Sequence, residues 1–515
     1  MIRSILSVGS LTLLSRVFGL VRDVLIALFL GAGAAADAFV LAFKLPNFFR
    51  RLFAEGAFSA AFVPQFSEQL GLSPDAAAQS RARGFAEAVL SVLLPALLLL
   101  TLVAEIIMPW IVLGLTGGFG SEPDKQGLAV ELTRLTFPYL MLISLVALFA
   151  GVLNGLSRFA AAAGAPVLLN VVLITALILF HGSPAASARA LAAAVSVAGC
   201  AQLLLLVWGA HRQGFALRLR RPRLSPPVKR LITVMGPAAL GAGAMQVNLL
   251  LDIVLASRFL PEGALSYLYY ADRLNQLPLG VIGIAVATVL LPAISRALAD
   301  KADAAAQARL NRGLEIALLI TLPAAGALIA VPATLLAPIY QHGAFEPADT
   351  AATAAALRAY AIGLPAYVLV KILAAAAFAR GDTVLPMRAS FAALGVNLAL
   401  NLILIWPLAH AGLALATALA AWANVAVLAT VLIRQGAWRV DARLAARLPR
   451  IAVAALAMAV GVTLLAGVFE PGGDKPAQLA ALAAVLVLGL TSYAVLARVM
   501  RLVDRADLAR LRRQA

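Results

Sequence analysis

Charged side chains interrupt several of the most apolar stretches of this 515-residue sequence. A charge near the centre of a bilayer costs about 2.5–3.5 kcal/mol on insertion scales, so such a residue usually faces a cavity or a partner. The charges collect on four apolar stretches, the first, second, seventh and eighth along the chain. The charged residues there are Arg16, Arg22, Asp23, Asp37, Lys44, Arg50, Arg51, Glu55, Asp252, Asp272 and Arg273. We therefore expect the four stretches to line a shared central cavity.

The arginines in this set predict an anionic ligand. A guanidinium group stays protonated, and its planar fork matches phosphate oxygens in two-point contacts. Snorkelling of a long side chain to the membrane interface is the alternative, and it suits Arg51 and Lys371 best. Asp23 and Asp272 are better explained as partners of neighbouring arginines than as proton carriers.

The helical register of the second stretch leaves two arginines open as cavity residues. Asp37, Lys44 and Arg51 are seven residues apart and share one face of a straight helix. Arg50 then points about 100° away from that face. Pro46 lies between them and is expected to kink the helix, so spacing alone does not choose between the two arginines.

A second set of oxygen-bearing side chains lies in otherwise apolar stretches. It consists of Asp252 on the seventh stretch, Asn397 and Asn401 on the eleventh, and Thr417 on the twelfth. One carboxylate with neutral oxygens suits a monovalent cation such as Na⁺. Hydrogen bonding between helices is the alternative, because Asn and Thr commonly join helices inside membranes.

Composition places these residues in a membrane protein. Hydrophobic residues make up 63% of the chain and charged residues only 13%, about half of what a soluble domain uses. The net charge of +17 lies in short loops between apolar stretches, which is typical of membrane topology and anionic-lipid contact rather than of a nucleic-acid partner. The single cysteine, Cys200, and the four histidines show no metal-ligand or disulfide spacing.

Fourteen apolar stretches are long enough to cross a membrane as helices, so we predict an all-α polytopic membrane protein. The predicted spans lie near residues 5–30, 35–65, 84–114, 132–156, 160–181, 187–210, 229–257, 264–294, 312–338, 352–379, 387–407, 412–433, 449–469 and 477–500.

The loops between the spans differ strongly in charge. One alternate set holds few basic residues, chiefly Lys125, Arg189, Arg258 and Lys475, whereas the other set carries long basic runs. Because cytoplasmic loops are the basic ones, we predict that both termini are cytoplasmic. Arg16 interrupts the first span and no cleavage site follows it, so this segment is predicted to remain as a span rather than to act as a signal peptide.

Short sequence motifs recur at a spacing of 222 to 229 residues. Asp23-Val-Leu-Ile-Ala27 returns as Asp252-Ile-Val-Leu-Ala256, and spans six and twelve each run into Arg-Gln-Gly, at Arg212 and Arg434. Pro138 and Asn170 in spans four and five have the same separation as Pro365 and Asn397 in spans ten and eleven. We therefore predict two six-helix lobes related by pseudo-two-fold symmetry, which is a transporter plan with a substrate site between the lobes. The predicted divisions are 1–211 for the first lobe, 212–228 for a basic cytoplasmic linker, 229–434 for the second lobe, and 435–515 for two further helices and a cytoplasmic tail.

Several sequence motifs in the first sixty-five residues resemble those of one known family. They are Ser15-Arg-Val-Phe-Gly-Leu-Val-Arg-Asp23, Ala36-Asp-Ala-Phe39, Phe43-Lys-Leu-Pro-Asn47, Arg50-Arg-Leu-Phe-Ala-Glu-Gly-Ala-Phe-Ser59 and Phe62-Val-Pro64. Tyr269-Tyr-Ala-Asp-Arg-Leu274 and Leu291-Pro292 agree with the same pattern. In these motifs the chain resembles the MurJ (MviN) family of lipid II flippases, and the resemblance covers its whole length.

The resemblance implies a fold of the multidrug/oligosaccharidyl-lipid/polysaccharide exporter superfamily. It implies transfer of undecaprenyl-diphosphate-linked MurNAc-pentapeptide-GlcNAc from the cytoplasmic to the periplasmic leaflet of the bacterial inner membrane. It also favours Arg50 over Arg51 as a cavity residue. The substrate-binding residues that it implies are Arg16, Arg22, Arg50 and Arg273, with Asp23, Asp37 and Glu55 also implicated.

The same resemblance bears on the cation site and on partners. Some family members bind Na⁺ between spans 7, 11 and 12, with a pattern that Asp252, Asn397, Asn401, Leu413 and Thr417 match in spacing. The departure is Asn401, where an aspartate would supply a second negative charge. Spans 13 and 14 are implied to extend a groove for the polyprenyl tail. The other expectations are a monomer, contact with membrane lipids, and interaction with cell-wall synthesis proteins.

Two rival functions stay open. A transporter of the same fold would carry a drug cation or another lipid-linked sugar, although a cation exporter is expected to show more cavity carboxylates than arginines. An enzyme acting on a polyprenyl diphosphate would need paired carboxylates for Mg²⁺, and the apolar stretches contain no Asp-x-x-Asp or Asp-Asp pair. We therefore predict a carrier without catalytic residues and without any cofactor other than Na⁺.

Overall fold

The computed structural model of the protein describes residues 2–51, 58–71, 75–119, 123–468 and 475–502, with backbone alone at residues 2–7, 60, 237–245 and 281–289. Over these ranges the chain is α-helical, without a β-strand. The helices are α1 (Ile2–Leu30), α2 (Ala34–Phe49), α3 (Ser59–Leu70), α4 (Ala76–Thr116), α5 (Pro123–Thr136), α6 (Pro138–Gly155), α7 (Ala160–Leu179), α8 (Pro184–Arg212), α9 (Pro226–Phe259), α10 (Ala264–Ala299), α11 (Asp303–Ala330), α12 (Pro332–Tyr340), α13 (Pro347–Ala379), α14 (Val384–Arg434), α15 (Ala442–Ala466) and α16 (Lys475–Val499).

These helices confirm the all-α membrane fold class. Every predicted span lies on one or two of them, and nine helical stretches of the described residues are long and apolar enough to cross a membrane. The count of fourteen spans stays a prediction. The predicted spans differ from the helices chiefly in where they are interrupted.

Two predicted spans are divided, and two others are joined. The fourth is shared between α5 and α6, and the ninth between α11 and α12. The second lies on α2 and α3, with residues 52–57 outside the described ranges. Pro138 and Pro332 each occupy the first turn of the later helix, where the missing N–H removes no helical hydrogen bond. Spans eleven and twelve both lie on α14, and the left-handed φ of 48° at Ala409 separates its two halves.

The chain forms two compact units. Unit 1 comprises Met1–Ser266 with His342–Phe345, and unit 2 comprises Tyr267–Gln341 with Glu346–Ala515. The predicted lobes at 1–211 and 229–434 divide the chain at different places, because α9 belongs to unit 1. The lobe boundaries therefore stay a prediction.

Small residues allow close helix packing in unit 1. Gly151 and Gly155 of α6 are four residues apart, which is the small-residue spacing common in membrane helix pairs. A Cβ added at Gly151 would lie 2.7 Å from the ring of Phe62, and one at Gly155 would lie 2.5 Å from the ring of Phe66. Both rings belong to α3 and are fully buried. The two glycines therefore seat α3 against α6.

Ionic contacts join the C-terminal helix pair to the rest of unit 2. Glu315 of α11 is buried and forms ion pairs with Arg312 on its own helix and with Arg443 and Arg447 of α15. On α16, the hydroxyl of Tyr493 donates to the carbonyl of Leu319 on α11 at 2.7 Å. Both helices beyond the predicted repeat are thus anchored on α11.

Substitution of Gly155 by alanine is expected to lower stability by about 1–3 kcal/mol, which is typical of overpacking, because the added methyl group has to displace the Phe66 ring. Gly164→Ala on α7 is the matched control, since its Cβ would meet no atom within 4 Å and alanine is the better helix former. Thermal unfolding of the purified variants in detergent measures the difference. A midpoint for Gly155→Ala at or above that of Gly164→Ala would contradict the close contact.

Candidate functional site

Arg22 lies at the centre of a buried polar cluster between α1 and α7. Its guanidinium donates to Oδ1 of Asp23 at 2.7 Å and to Oδ1 of Asn170 at 2.9 Å. The amide of Asn170 in turn donates to the backbone carbonyl of Ser15 at 2.9 Å. The guanidinium carbon also lies 5.6 Å from the ring centroid of Phe43, within cation–π range. Asp23 is therefore a partner of the neighbouring arginine, as the sequence favoured.

Gly19 of α1 faces Asn170 of α7. A Cβ added at Gly19 would lie 3.7 Å from the side-chain nitrogen of Asn170, which is an ordinary van der Waals distance. Sequence reasoning used Asn170 only as a marker of the internal repeat and missed its role at the site. The available signal was a lone amide in an apolar span, which usually bonds to another helix.

Arg16 lies on the same helix as Arg22 and is partly exposed. A separation of six residues corresponds to about 9 Å along a helix and about 120° around it. The two guanidinium groups therefore leave α1 in different directions, and a shared ligand would have to extend between them.

Asp37 is the most completely engaged carboxylate of unit 1. Its Oδ2 accepts from Nζ of Lys125 at 3.0 Å and from the backbone N–H of Gly263 at 2.8 Å. Its Oδ1 accepts from the backbone N–H of Ser266 at 2.9 Å and from the Ser266 hydroxyl at 2.7 Å. The carboxylate thus caps the start of α10 at residues that belong to unit 1. A contact between Asp37 and the substrate stays a prediction.

Lys125 is a second residue that sequence reasoning missed. It was counted as a loop charge, but α5 begins at Pro123 and the lysine side chain is buried. Its ammonium lies 4.7 Å from the ring centroid of Phe119 and pairs with Asp37. The helix that carries the start of the predicted fourth span, 132–156, therefore begins about two and a half turns before residue 132.

The two arginines after α2 differ in exposure. Nε of Arg50 donates to the side-chain oxygen of Asn47 at 3.0 Å, and Arg50 is partly buried, whereas Arg51 is exposed. This difference agrees with Arg50 as the cavity residue. Glu55, also predicted from the resemblance, lies outside the described residues.

In unit 2, Arg273 is held by its own helix. Its guanidinium carbon lies 4.8 Å from the ring centroid of Tyr269, one turn earlier on α10. The neighbouring carboxylate of Asp272 accepts a hydrogen bond from the side-chain amide of Gln276 at 2.5 Å. The aromatic contact restricts the direction of the Arg273 guanidinium.

The two halves of α14 bring together the predicted cation ligands of unit 2. The amide of Asn397 donates to the hydroxyl oxygen of Thr417 at 3.2 Å, and the amide of Asn401 donates to Oδ1 of Asn397 at 2.8 Å. Leu413 is buried beside them. Asp252 belongs to unit 1. One of these hydrogen bonds joins the two halves of α14 and the other lies within its first half. A Na⁺ site stays a prediction.

The fold matches solved structures of membrane transporters. The structure aligns with a multidrug resistance MATE family transporter of the MOP superfamily in an inward-facing conformation, with a TM-score of 0.68 and 18% sequence identity over 84% of this chain and 98% of that one. It aligns with a lipid II flippase MurJ in an inward closed conformation with a TM-score of 0.80 and 25% identity, over 96% of this chain and 98% of that one. The likeness to the MATE family transporter concerns the fold alone.

Sequence comparison narrows the class to one family. The family model described as lipid II flippase MurJ matches residues 26–479. A probable lipid II flippase MurJ of Rhizobium meliloti (strain 1021) is 44% identical over 90% of this chain and 86% of its own length. Another from Rhizobium tropici is 40% identical over 100% of this chain and 96% of its own length. The chain belongs to the MurJ family of lipid II flippases, which confirms the assignment made from its motifs.

Replacement of Asp37 by asparagine is expected to lower stability by about 3–5 kcal/mol, because it leaves the buried Lys125 without an opposite charge. Asp124→Asn is the matched control, since Asp124 is the exposed neighbour of the same lysine. The double variant Asp37→Asn/Lys125→Met should recover part of the loss. Thermal unfolding in detergent measures all three, and equal midpoints for the two single variants would count against the ion pair.

Proposed function

We propose that this protein translocates lipid II from the cytoplasmic to the periplasmic leaflet of the bacterial inner membrane. Membership of the MurJ family supports the substrate class. The observation that carries the proposal is Arg22, a guanidinium buried between two apolar helices and oriented by Asp23 and Asn170. Charges at such positions are costly and usually serve a substrate path.

The chemistry of the cargo explains why a protein is needed. Its polyprenyl tail is stable in the bilayer, whereas its diphosphate, sugars and peptide are not. A hydrated path for the head is therefore required while the tail stays in lipid. In this proposal the arginines bind the diphosphate, and α15 and α16 border a groove for the tail.

The four arginines Arg16, Arg22, Arg50 and Arg273 are the proposed ligands of the diphosphate. Three of them already have neighbours that orient the guanidinium group: Asp23 and Asn170 for Arg22, Asn47 for Arg50, and Tyr269 for Arg273. An oriented guanidinium loses less side-chain entropy when it binds phosphate than a flexible ammonium group does. This favours a phosphate-bearing substrate over a drug cation.

Transport follows in the proposal by alternating access, with both termini in the cytoplasm. The inside-negative potential favours outward movement of an anion by roughly 2.3 kcal/mol per charge across 100 mV. Release also requires weaker binding in the outward-open state, because a ligand bound equally in both states shifts no equilibrium. Any displacement of the start of α10 from α2 has to break the hydrogen bonds centred on Asp37, so this carboxylate is expected to set the balance between states.

Replacement of Arg50 by alanine is expected to abolish lipid II flipping while the protein still inserts, and Arg51→Ala is expected to retain it. Arg273→Ala and Arg296→Ala form a second pair on α10, since Arg296 is exposed and bonds to the carbonyl of Pro292. The measurement is labelling of lipid II at the outer face after depletion of the wild-type protein, with membrane levels checked by immunoblot. Normal labelling in cells whose only copy of the protein carries Arg50→Ala, and in cells whose only copy carries Arg273→Ala, would reject the proposal that these arginines bind the diphosphate.

Na⁺ is the proposed coupling ion, and a bound ion would supply positive charge close to Asp252. Asp252→Asn is then expected to remove any rise in melting temperature that the protein shows in sodium chloride relative to choline chloride. Asp300→Asn, an exposed aspartate at the end of α10, is the control. A sodium-dependent rise that persists in Asp252→Asn would reject the site without affecting the flipping proposal.

A further inference from the structure

A second cationic site lies away from the cluster around Arg22. A cavity of about 310 Å³ opens where the end of α6, the start of α7 and the end of α8 meet in unit 1. Arg158 and Arg212 both line it, and none of its lining residues is acidic. Two like charges at one cavity repel each other, so the cavity is electrostatically complementary to an anion.

Local structure holds both arginines at the cavity. The guanidinium carbon of Arg212 lies 3.9 Å from the ring centroid of Trp208, one turn earlier on α8. Arg158 follows Ser157, whose left-handed φ of 58° turns the chain out of α6. The backbone N–H groups of Ser157 and Arg158 donate to the carbonyls of Asn154 and Leu153, which fixes this turn. The backbone turn at Ser157 and the contact between Arg212 and Trp208 therefore place both exposed arginines at the rim of the cavity.

The start of α7 adds a third source of positive potential. Phe159 is its N-cap residue and provides no side-chain cap, while Ala160 and Ala161 line the cavity. The first N–H groups of a helix have no partner within the helix and carry the positive end of its dipole. Here they lie beside the two arginines, and the combination is suited to a phosphate group.

The surface next to the cavity is apolar. Val197, Leu204 and Trp208 follow one face of α8 at helical spacing and are 58%, 69% and 52% exposed. Trp208 ends this face at the level of the arginines, as aromatic residues do where hydrocarbon meets headgroups. An apolar face that leads into a cationic cavity matches the shape of a phospholipid, with its chain along α8 and its phosphate between the arginines.

We propose that this cavity binds the phosphodiester headgroup of an anionic phospholipid of the cytoplasmic leaflet, which stays bound and is not transported. The cytoplasmic level follows from the basic loops that border α6, α7 and α8. The alternative is that both arginines are solvated surface charges whose only role is to set the membrane topology. The site is separate from the proposed diphosphate ligands, so its failure would leave the flipping proposal standing.

Lipid retention by the full-length protein in detergent tests the proposal. Native mass spectrometry counts bound dioleoyl-phosphatidylglycerol or dioleoyl-phosphatidylcholine during titration. Wild-type protein is expected to prefer the anionic lipid. Arg158→Gln/Arg212→Gln is expected to weaken its binding about 25-fold, because each arginine near an anionic surface contributes about fivefold. Trp208→Leu keeps the apolar surface but removes the ring under Arg212, and it should weaken binding by a smaller factor.

The matched control is Arg218→Gln/Arg221→Gln, which removes the same charge from exposed positions outside the cavity and should leave binding unchanged. Equal losses in the two double variants would overturn the site, because binding would then follow surface charge. Millimolar inorganic phosphate distinguishes the source of the anion. Persistent lipid binding supports the proposal, whereas displacement of the lipid by phosphate would show that the cavity takes free phosphate and overturn the lipid assignment.

Discussion

The cost of placing charge among apolar helices governs much of this structure. A buried ion loses its hydration, and the loss is tolerable only where an opposite charge and neutral hydrogen-bond partners replace water. Arg22 has Asp23 and Asn170, and Asp37 has Lys125 and Ser266. Because the partners come from different helices, each cluster also fixes which helices lie side by side. The first holds α7 on α1, and the second holds α2 to α5 and to the first turn of α10.

The same pairing bears on the proposed transport cycle. A bare buried guanidinium would bind a diphosphate tightly and release it slowly, which suits a trap rather than a carrier. The ion pair of Arg22 and Asp23 carries no net charge. The substrate therefore has to compete with the Asp23 carboxylate for the Arg22 guanidinium. Such competition weakens binding in the resting state, so a small change in the position of α1 or α7 is enough to alter affinity. A carrier needs this sensitivity because it has to release what it binds.

The sequence was informative about the helices and less so about their contacts. Apolar length placed each span on a helix, since the requirement for about 20 apolar residues acts locally. It did not predict that Asn170 bonds to Arg22, 148 residues away, or that Lys125 pairs with Asp37, 88 residues away. Periodicity gives the face of a helix but not the register between helices that are distant in sequence.

Interruptions within spans were the other gap. Pro138 was used only as a repeat marker. The break at Ala409, by contrast, lies in the gap that the sequence left between predicted spans 387–407 and 412–433. The choice between Arg50 and Arg51 was open for a similar reason, because Pro46 removes the straight-helix register that such an argument needs. Motif resemblance favoured Arg50, and the structure shows that Arg50 is partly buried and bonded to Asn47, whereas Arg51 is exposed.

In the proposed function, α15 and α16, the helices beyond the predicted repeat, contact the polyprenyl tail of the substrate. Leu456 and Leu464 of α15 and Leu490 of α16 are 66%, 70% and 74% exposed, so the pair presents a long apolar surface. The buried carboxylate of Glu315 pairs with arginines of α11 and α15. These ionic contacts hold α15, the Tyr493 hydrogen bond holds α16, and the apolar faces of both helices stay uncovered. A polyprenyl chain requires such a surface, because it gains little from polar contacts and much from staying out of water. In the proposed function the arginines therefore need to recognise only the diphosphate of the substrate.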